Sequence, residues 1–314
     1  MQVLFPAVAG IDVHKEKLAI TVLIGPADLE PQVHQFESST FTEDLMILGL
    51  KLQEFGVTHV AMESSGIYWK PLYHVLKPMG FQITLGNAAH MKNVPGRKTD
   101  MKDSHWIACL HRNGLIRPSY IPEAQYQELR LLTRHRQHLV DDSSRIKNRV
   151  IKILEDANIK LSSVLSDVFG VSGMAILENI AKGVTDKHPL AALAKTNLKH
   201  KEDLPRALHN TLTQTQCFLI KELLDQFKHL AQLIDQTQTQ IAAKLLPHQD
   251  LMGKLIEVPG IDQTLAQAIL AEATADMSHF KDDKRFAAWA GVAPGNNESG
   301  GKKKELKPDG EIPT

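Results

Sequence analysis

The chain has 314 residues, with 36 basic and 36 acidic side chains and a formal net charge of zero. This length allows two or three domains, and the charge balance excludes a uniformly basic nucleic-acid coat while permitting local basic faces. The sequence has no run near the roughly 20 apolar residues of a membrane span, no secretory signal, and two isolated cysteines, so we expect a cytoplasmic protein without a disulfide framework or zinc module.

The first third of the chain predicts a mixed sheet covered by helices. Apolar runs predict strands near 6–13, 17–24, 32–38, 58–63 and 81–86, and helical periodicity predicts helices near 42–55, 67–79 and 100–113. Three consecutive strands followed by alternating helices and strands resemble the order found in ribonuclease H. We therefore predict an α/β, RNase H-like domain over residues 1–117.

Four carboxylates occupy the ends of these predicted elements. Asp12 ends the first strand, Glu63 ends the fourth, and Asp100 and Asp103 begin the last helix three residues apart, on one face. Each acid alone has an ordinary explanation as a turn residue, a surface acid or a first-turn helix charge. Together, four ionised carboxylates would repel one another unless cations neutralised them, so we predict a two-metal Mg²⁺ site with all four as ligands.

Lys98 lies beside the predicted acids in sequence. A cation next to a magnesium cluster could position a phosphate group, although lysines near acids more often form surface ion pairs. We keep Lys98 as a candidate nucleic-acid contact.

The middle of the chain, 118–248, predicts a helical assembly region. Apolar residues three and four apart predict a long helix over about 123–157 with one apolar stripe along its side. Arg136 and Ser143 are polar positions in that stripe. A second such apolar run extends over 220–241. The two runs predict a helical hairpin or a coiled-coil arm whose polar positions fix the register. Arg145, Arg149 and Lys152 share one helix face that could track a phosphate backbone, although a solvated charged face is the commoner meaning.

Residues 249–314 predict a small helical C-terminal domain with two motifs. Residues 258–262 resemble the turn of a helix-hairpin-helix, in which Gly260 could bring backbone N–H groups to a DNA phosphate, but Asp262 replaces the usual second glycine. The glycine-rich run 291–301 contains Ser299 and precedes Lys302 and Lys303, which could hold a phosphate near the serine hydroxyl. Composition alone favours a flexible loop here.

Segments 10–14, 62–66, 98–103 and 293–300 together resemble the DEDD transposases of the insertion sequence one-ten family, and the resemblance runs from the first strand to about residue 304. It implies a RuvC-like domain with Asp12, Glu63, Asp100 and Asp103 as metal ligands, and a C-terminal domain with Ser299 as nucleophile. It also implies DNA as substrate, a homo-oligomer (dimer or tetramer) assembled through the helical middle, and a structured guide RNA.

We therefore expect a DNA transposase or recombinase in which Ser299 attacks a phosphodiester. Two alternatives remain open: a resolvase-like endonuclease that uses water, and a non-catalytic nucleic-acid-binding remnant. Family members usually continue into a basic helical segment, whereas this chain stops at Thr314, so we expect a truncated copy with an unsupported serine loop.

Overall fold

The computed structural model describes residues 3–64, 66–87, 103–194 and 201–292, together with the backbone of 298–299 and 302–303. The chain divides into two compact units: Met1–Ile121 with Ser278–Thr314, and Pro122–Met277. Residues 249–277 thus fall in the second unit and residues 278–314 in the first. The division into domains 1–117, 118–248 and 249–314 stays a prediction.

A five-stranded sheet forms the centre of the first unit. Its strands lie in the order β3-β2-β1-β4-β5; β1 pairs antiparallel with β2, as β2 does with β3, while β1, β4 and β5 run parallel. The bounds are β1 Ala7–Val13, β2 Lys17–Ile24, β3 Gln32–Ser39, β4 His59–Glu63 and β5 Gln82–Gly86. Because the order and direction of these strands are those of RNase H, the predicted RNase H-like sheet is confirmed.

Helices cover both faces of this sheet. These helices are α1 Thr42–Glu54, α2 Trp69–Leu76 and α3 Asp103–Arg112. Separately, the C-terminal part of the unit contains α12 Asp283–Trp289 and the short strands β6 Glu298–Ser299 and β7 Lys302–Lys303. Side chains alternate along β1, so Ala9 and Ile11 pack with α1 and α2 in one core, whereas Val8 faces α3 with Ala108. A central strand buried on both faces explains why β1 is apolar throughout until Asp12.

The second unit is helical and is built on a long antiparallel pair. Helix α4 is Ala124–Asp156 and α9 is Gln214–Leu245. Contacts from Glu128 to Lys244, from Arg136 to Gln238 and from Asp156 to Gln216 follow the pair from one end to the other, which defines its antiparallel direction. The two predicted long helices are thus paired antiparallel, with shorter helices between them in the chain rather than a hairpin loop, and a coiled coil stays a prediction.

Shorter helices pack against the two ends of this pair. They are α5 Leu161–Val164, α6 Val171–Ala181, α7 Lys187–Ala192 and α8 Leu204–Ala207 at one end, and α10 Gln249–Ile256 and α11 Gln263–Ala273 at the other. Across the ranges that the structure describes, no helix is both long and apolar enough for a membrane span.

Arg136 lies between the two apolar cores of the second unit. It is 6% exposed, and its guanidinium donates to the side chain of Gln238 at 2.6 Å, to that of Gln267, and to the carbonyl of Thr264 at 3.3 Å. One polar side chain in the α4 stripe therefore joins three helices, since Gln238 is in α9 and Gln267 in α11.

Candidate functional site

Asp12 and Glu63 lie side by side at the ends of two parallel strands. The last aligned pair of β1 and β4 is Ile11 with Met62, and the two acids are the next residue on each strand. Residues aligned on neighbouring strands project from the same face of a sheet. Since Ile11 and Met62 belong to the core under α1 and α2, the two acids are on the opposite face, which α3 covers.

A close approach between β1 and α3 brings Asp103 to this edge. Gly10 leaves room for the helix, because a β-carbon there would lie 2.7 Å from Cα of Ala108. The hydroxyl groups of Thr21 and Ser104 are hydrogen bonded at 2.9 Å, and both residues are buried. These contacts fix the first turn of α3, where Asp103 is the first residue.

A third side chain, that of Gln35, is hydrogen bonded to the Thr21–Ser104 pair that holds this first turn. Gln35 of β3 donates from its side-chain nitrogen to Oγ1 of Thr21 at 3.1 Å. The sequence analysis missed Thr21, Ser104 and Gln35. One signal was available, because Thr21 is the polar exception in the apolar run of β2, but its partners are far away in sequence.

The pKa of Asp12 depends on its burial and on the charges around it. The pKa of its carboxyl is raised above the usual value, first by burial and then by the negative charges of Asp103 and Glu63, while His14 opposes the rise. Nε2 of His14 lies 3.0 Å from Oδ2 of Asp12, whose side chain is 19% exposed. Two of the predicted ligands, Asp103 and Glu63, thus act through their charges on the carboxyl of a third, Asp12.

The four-ligand metal site itself stays a prediction. Asp100 and Lys98 lie outside the described residues. Among the side chains that are described, no three His, Cys, Asp or Glu residues are placed to hold a metal ion together.

The serine motif forms a small hairpin in its backbone. Strands β6 and β7 pair antiparallel, with Ser299 opposite Lys302 and Glu298 opposite Lys303. The backbone register thus sets the predicted nucleophile across from one of the lysines predicted to hold a phosphate. The side chains of these residues are outside what the structure describes.

The predicted basic face on α4 is exposed. Arg145, Arg149 and Lys152 all lie at the surface of the second unit, and Arg145 forms an ion pair with Asp142 one turn earlier. Because that pair is solvent exposed, it costs little to exchange for a phosphate. The role of these three cations in binding nucleic acid stays a prediction.

The helix-hairpin-helix-like turn has its helix N-terminus already capped. Gly260 adopts a positive φ of 90°, which suits glycine, and connects α10 to α11. Oδ1 of Asp262 accepts a hydrogen bond from the backbone nitrogen of Leu265 at 2.7 Å. The carboxylate thus occupies a donor that the motif usually offers to a phosphate, and phosphate contact through Gly260 stays a prediction.

Comparison with known proteins gives matches in two separate parts of the chain. A DEDD-type IS110 model described as "Transposase" matches residues 9–159, and one described as "Transposase IS116/IS110/IS902 family" matches residues 252–310. A "Probable family 20 transposase" of Pseudomonas aeruginosa is 26% identical over an alignment of 252 residues, and the match covers 78% of this chain and 64% of the relative. The chain therefore spans less than two thirds of the length of that curated relative.

Two solved structures of RuvC from Thermus thermophilus are also similar to part of the chain. One is 16% identical and covers 36% of this chain and 99% of RuvC, with a TM-score of 0.28. The other, "T. thermophilus RuvC in complex with Holliday junction substrate", is 17% identical and covers 37% of this chain and 100% of its own, with a TM-score of 0.28. The RNase H-like assignment above rests on the strand order of the sheet.

Proposed function

Because the chain belongs to the IS110 family of transposases, we propose that it is a DNA transposase that cuts and rejoins DNA at the carboxylate edge of its RNase H-like sheet. The observation that carries this proposal is geometric: Asp12 and Glu63 follow an aligned pair on β1 and β4, and Asp103 begins the helix that packs against the same face. Acids that destabilise one another at the end of a sheet are typical of a site for divalent cations.

The donor set fits Mg²⁺ by its chemistry. Asp12, Glu63 and Asp103, with Asp100 as the proposed fourth ligand, offer the carboxylate oxygens that this cation prefers. A divalent cation would reverse the effect of Asp103 and Glu63 on Asp12, because its charge favours the ionised form. When bound, a pair of such ions supplies Lewis-acid stabilisation of charge on the reacting oxygens of an in-line displacement.

Ser299 is the proposed nucleophile. Its Oγ forms a bond to phosphorus while the bond between phosphorus and the 3′ oxygen breaks, and the proton lost by the hydroxyl balances the one gained by the departing 3′ oxygen. The product is a phosphoserine link, which keeps a phosphoester bond available for rejoining. The short β6–β7 hairpin supports this role, because its backbone register pairs Ser299 with Lys302.

The proposed partners are donor and target DNA, a structured guide RNA, and further copies of the chain in a dimer or tetramer in the cytoplasm. Phosphate groups are recognised by cations and by backbone N–H groups. The residues proposed for these contacts are Lys98, Arg145, Arg149, Lys152, Gly260, Lys302 and Lys303.

The test is covalent adduct formation. The full chain is incubated with Mg²⁺, labelled duplex DNA carrying the junctions of its element, and RNA transcribed from the sequence beside the gene. Adducts that survive denaturing gel electrophoresis are then compared for the wild type, Ser299→Ala, Asp12→Asn and the surface control Ser144→Ala. We expect adducts with the wild type and Ser144→Ala, and none with the other two.

Other outcomes would replace the proposal. Adducts formed by Ser299→Ala would exclude this serine as nucleophile. Unchanged cleavage without adducts in Ser299→Ala, together with loss in Asp12→Asn, would identify an endonuclease that uses water. Salt-sensitive binding without any magnesium-dependent cleavage would identify a non-catalytic nucleic-acid-binding protein.

A further inference from the structure

One row of aligned residues crosses the sheet directly before the acids. Residues in register on neighbouring strands project from the same face of a sheet. From β3 to β5, the row consists of Gln35, Thr21, Gly10, Ala61 and Thr84. Asp12 and Glu63 lie two residues further along β1 and β4, so they form the next row on this face, roughly 7 Å away.

Helix α3 rests on three neighbouring members of this row, and each makes a different contact. A β-carbon on Gly10 would collide with the carbonyl oxygen of Ser104, so the helix lies directly on β1 there. Ala61 packs with Ile107 in a small apolar core. Oγ1 of Thr21 is hydrogen bonded to Oγ of Ser104 at 2.9 Å. Of the three contacts, the hydrogen bond is the directional one, so it fixes where Ser104 lies along the row.

The hydroxyl pair is held in one arrangement by its burial. Thr21 and Ser104 are both fully buried, and the side-chain nitrogen of Gln35 donates to Oγ1 of Thr21 at 3.1 Å. A buried hydroxyl that loses its partner is strongly destabilising, so alternative positions of the two side chains are disfavoured. Asp103 directly precedes Ser104 in the first turn of α3. The contact that fixes Ser104 therefore also fixes the backbone that carries the Asp103 carboxylate.

We propose that Thr21 is a positioning residue that sets ion specificity: its hydrogen bond to Ser104 holds Asp103 at the spacing from Asp12 and Glu63 that suits Mg²⁺. This inference rests on the proposed function, because it concerns which ion the carboxylate edge takes. Mg²⁺ requires a near-ideal octahedron of oxygens at about 2.0–2.1 Å, whereas Ca²⁺ accepts longer distances, about 2.3–2.6 Å, in a flexible shell. A helix released to shift by roughly 0.3 Å would therefore lose affinity for Mg²⁺ before it lost affinity for Ca²⁺.

The experiment measures the affinity for the two ions and needs no activity. The melting temperature of the full chain is recorded against the concentration of Mg²⁺ or of Ca²⁺ at constant ionic strength, which gives an apparent dissociation constant for each ion. The proteins compared are the wild type, Thr21→Val, the double variant Thr21→Val with Ser104→Ala, and Thr133→Val. Thr133 is the matched control, because it is a buried threonine of the second unit whose hydroxyl donates to the carbonyl of Arg130.

We expect Thr21→Val to raise the dissociation constant for Mg²⁺ about tenfold, the lower end of the effect of losing a group that orients a metal ligand. The dissociation constant for Ca²⁺ should change by less than about threefold, because its ligand shell adapts. Thr133→Val should keep the wild-type values for both ions. The double variant leaves neither hydroxyl of the pair unpaired, so it should fold even if Thr21→Val does not. It should show the same selective loss for Mg²⁺, because the bond to α3 is still missing.

The outcomes separate this inference from the function on which it rests. A selective loss for Mg²⁺ supports the role of Thr21. Equal weakening for both ions, or unchanged affinities in the Thr21 variants, overturns that role while the response of the wild type still supports a metal site. A wild type whose melting temperature responds to neither ion, even with duplex DNA present, overturns the metal site and this inference together.

Discussion

Gly10 of β1 and Ala108 of α3 are in contact through their backbones. A β-carbon on Gly10 would lie 2.7 Å from Cα of Ala108 and closer still to its amide nitrogen. Such a contact cannot be relieved by turning a side chain, because both partners are main chain. The absence of a side chain at position 10 therefore sets the distance between the strand of Asp12 and the helix of Asp103.

Gly10→Ala should destabilise the first unit strongly. Overpacking usually costs about 1–3 kcal/mol, and we expect the upper end or more because a whole helix must shift. Urea unfolding followed by circular dichroism measures the change. Gly253→Ala is the matched control: it has nothing within 4 Å of the new carbon and lies in α10, so it should be neutral or stabilise by up to about 1 kcal/mol. Equal stability of Gly10→Ala and wild type would disprove the close approach.

Arg136 should be essential for the second unit. Replacing it with methionine leaves the buried side-chain amide of Gln267 and the half-buried one of Gln238 without their charged partner, which we expect to cost about 3 kcal/mol. Arg136→Lys should also destabilise, because one ammonium group lacks the planar fork that reaches several acceptors. Thermal unfolding measures both changes.

The control for Arg136 is Arg145→Met on the same helix. Arg145 is exposed and paired with Asp142, so its replacement should change stability by less than about 0.5 kcal/mol. A double-mutant cycle of Arg136→Met with Gln267→Leu should give a coupling energy above 0.5 kcal/mol, the lower bound for residues in contact. Independent, additive effects would contradict the joint role of these side chains.

The sequence predicted most of the fold because local signals were strong. Apolar runs bounded by turn residues predicted the five strands, and the strand ends at Asp12 and Glu63 supplied two of the candidate ligands, whose role stays a prediction. The partner of Ser104 could not be predicted, since Thr21 lies 83 residues away and a hydroxyl pair leaves no periodic pattern. The polar position of Arg136 in its stripe was visible, but its glutamine partners were not.

The return of residues 278–314 to the first unit was also not predictable. The segment continues a helical pattern from 251–277, so periodicity predicts one C-terminal domain. Its place in the first unit depends on contacts such as the stack of His279 on Tyr120, which are set by tertiary structure. Neither aromatic residue carries a motif that would reveal the pairing.

His111 should make the protein sensitive to acid. It is 3% exposed in the last turn of α3, and burial, aided by the charge of His59, lowers the pKa of its imidazole to about 4 from the usual 6.5. A depressed histidine pKa means that the fold favours the neutral ring. The contribution of His111 to the free energy of unfolding is therefore fully present above pH 6.5. It is lost as the pH falls towards 4, by about 3 kcal/mol in total.

The measurement is the free energy of unfolding between pH 7 and pH 4 for wild type and His111→Gln. The variant should lose less stability over this range, because the group that binds a proton on unfolding is gone. His188→Gln, an exposed histidine in α7, should keep the wild-type slope. Identical slopes of stability against pH for all three proteins would show that His111 binds its proton equally well in the folded and unfolded states, and would contradict the prediction.

Magnesium should stabilise the first unit through Asp12. The raised pKa of this carboxyl means that the fold favours its protonated form, so the associated stability is present at low pH and lost as the pH rises through the folded pKa. At neutral pH without metal, Asp12→Asn should therefore melt higher than wild type, and the lost contact with the exposed His14 should offset little of this gain.

Added Mg²⁺ should reverse the order of the two proteins. A ligand that binds only the folded state adds about 2.7 kcal/mol at a hundred times its dissociation constant, so the wild type should gain several degrees in melting temperature. Asp12→Asn should gain much less, whereas Asp250→Asn, an exposed acid in α10, should respond as the wild type does. Sodium chloride at equal ionic strength corrects for screening. A full magnesium response in Asp12→Asn would remove this carboxylate from the metal site, because the binding energy would then come from other ligands.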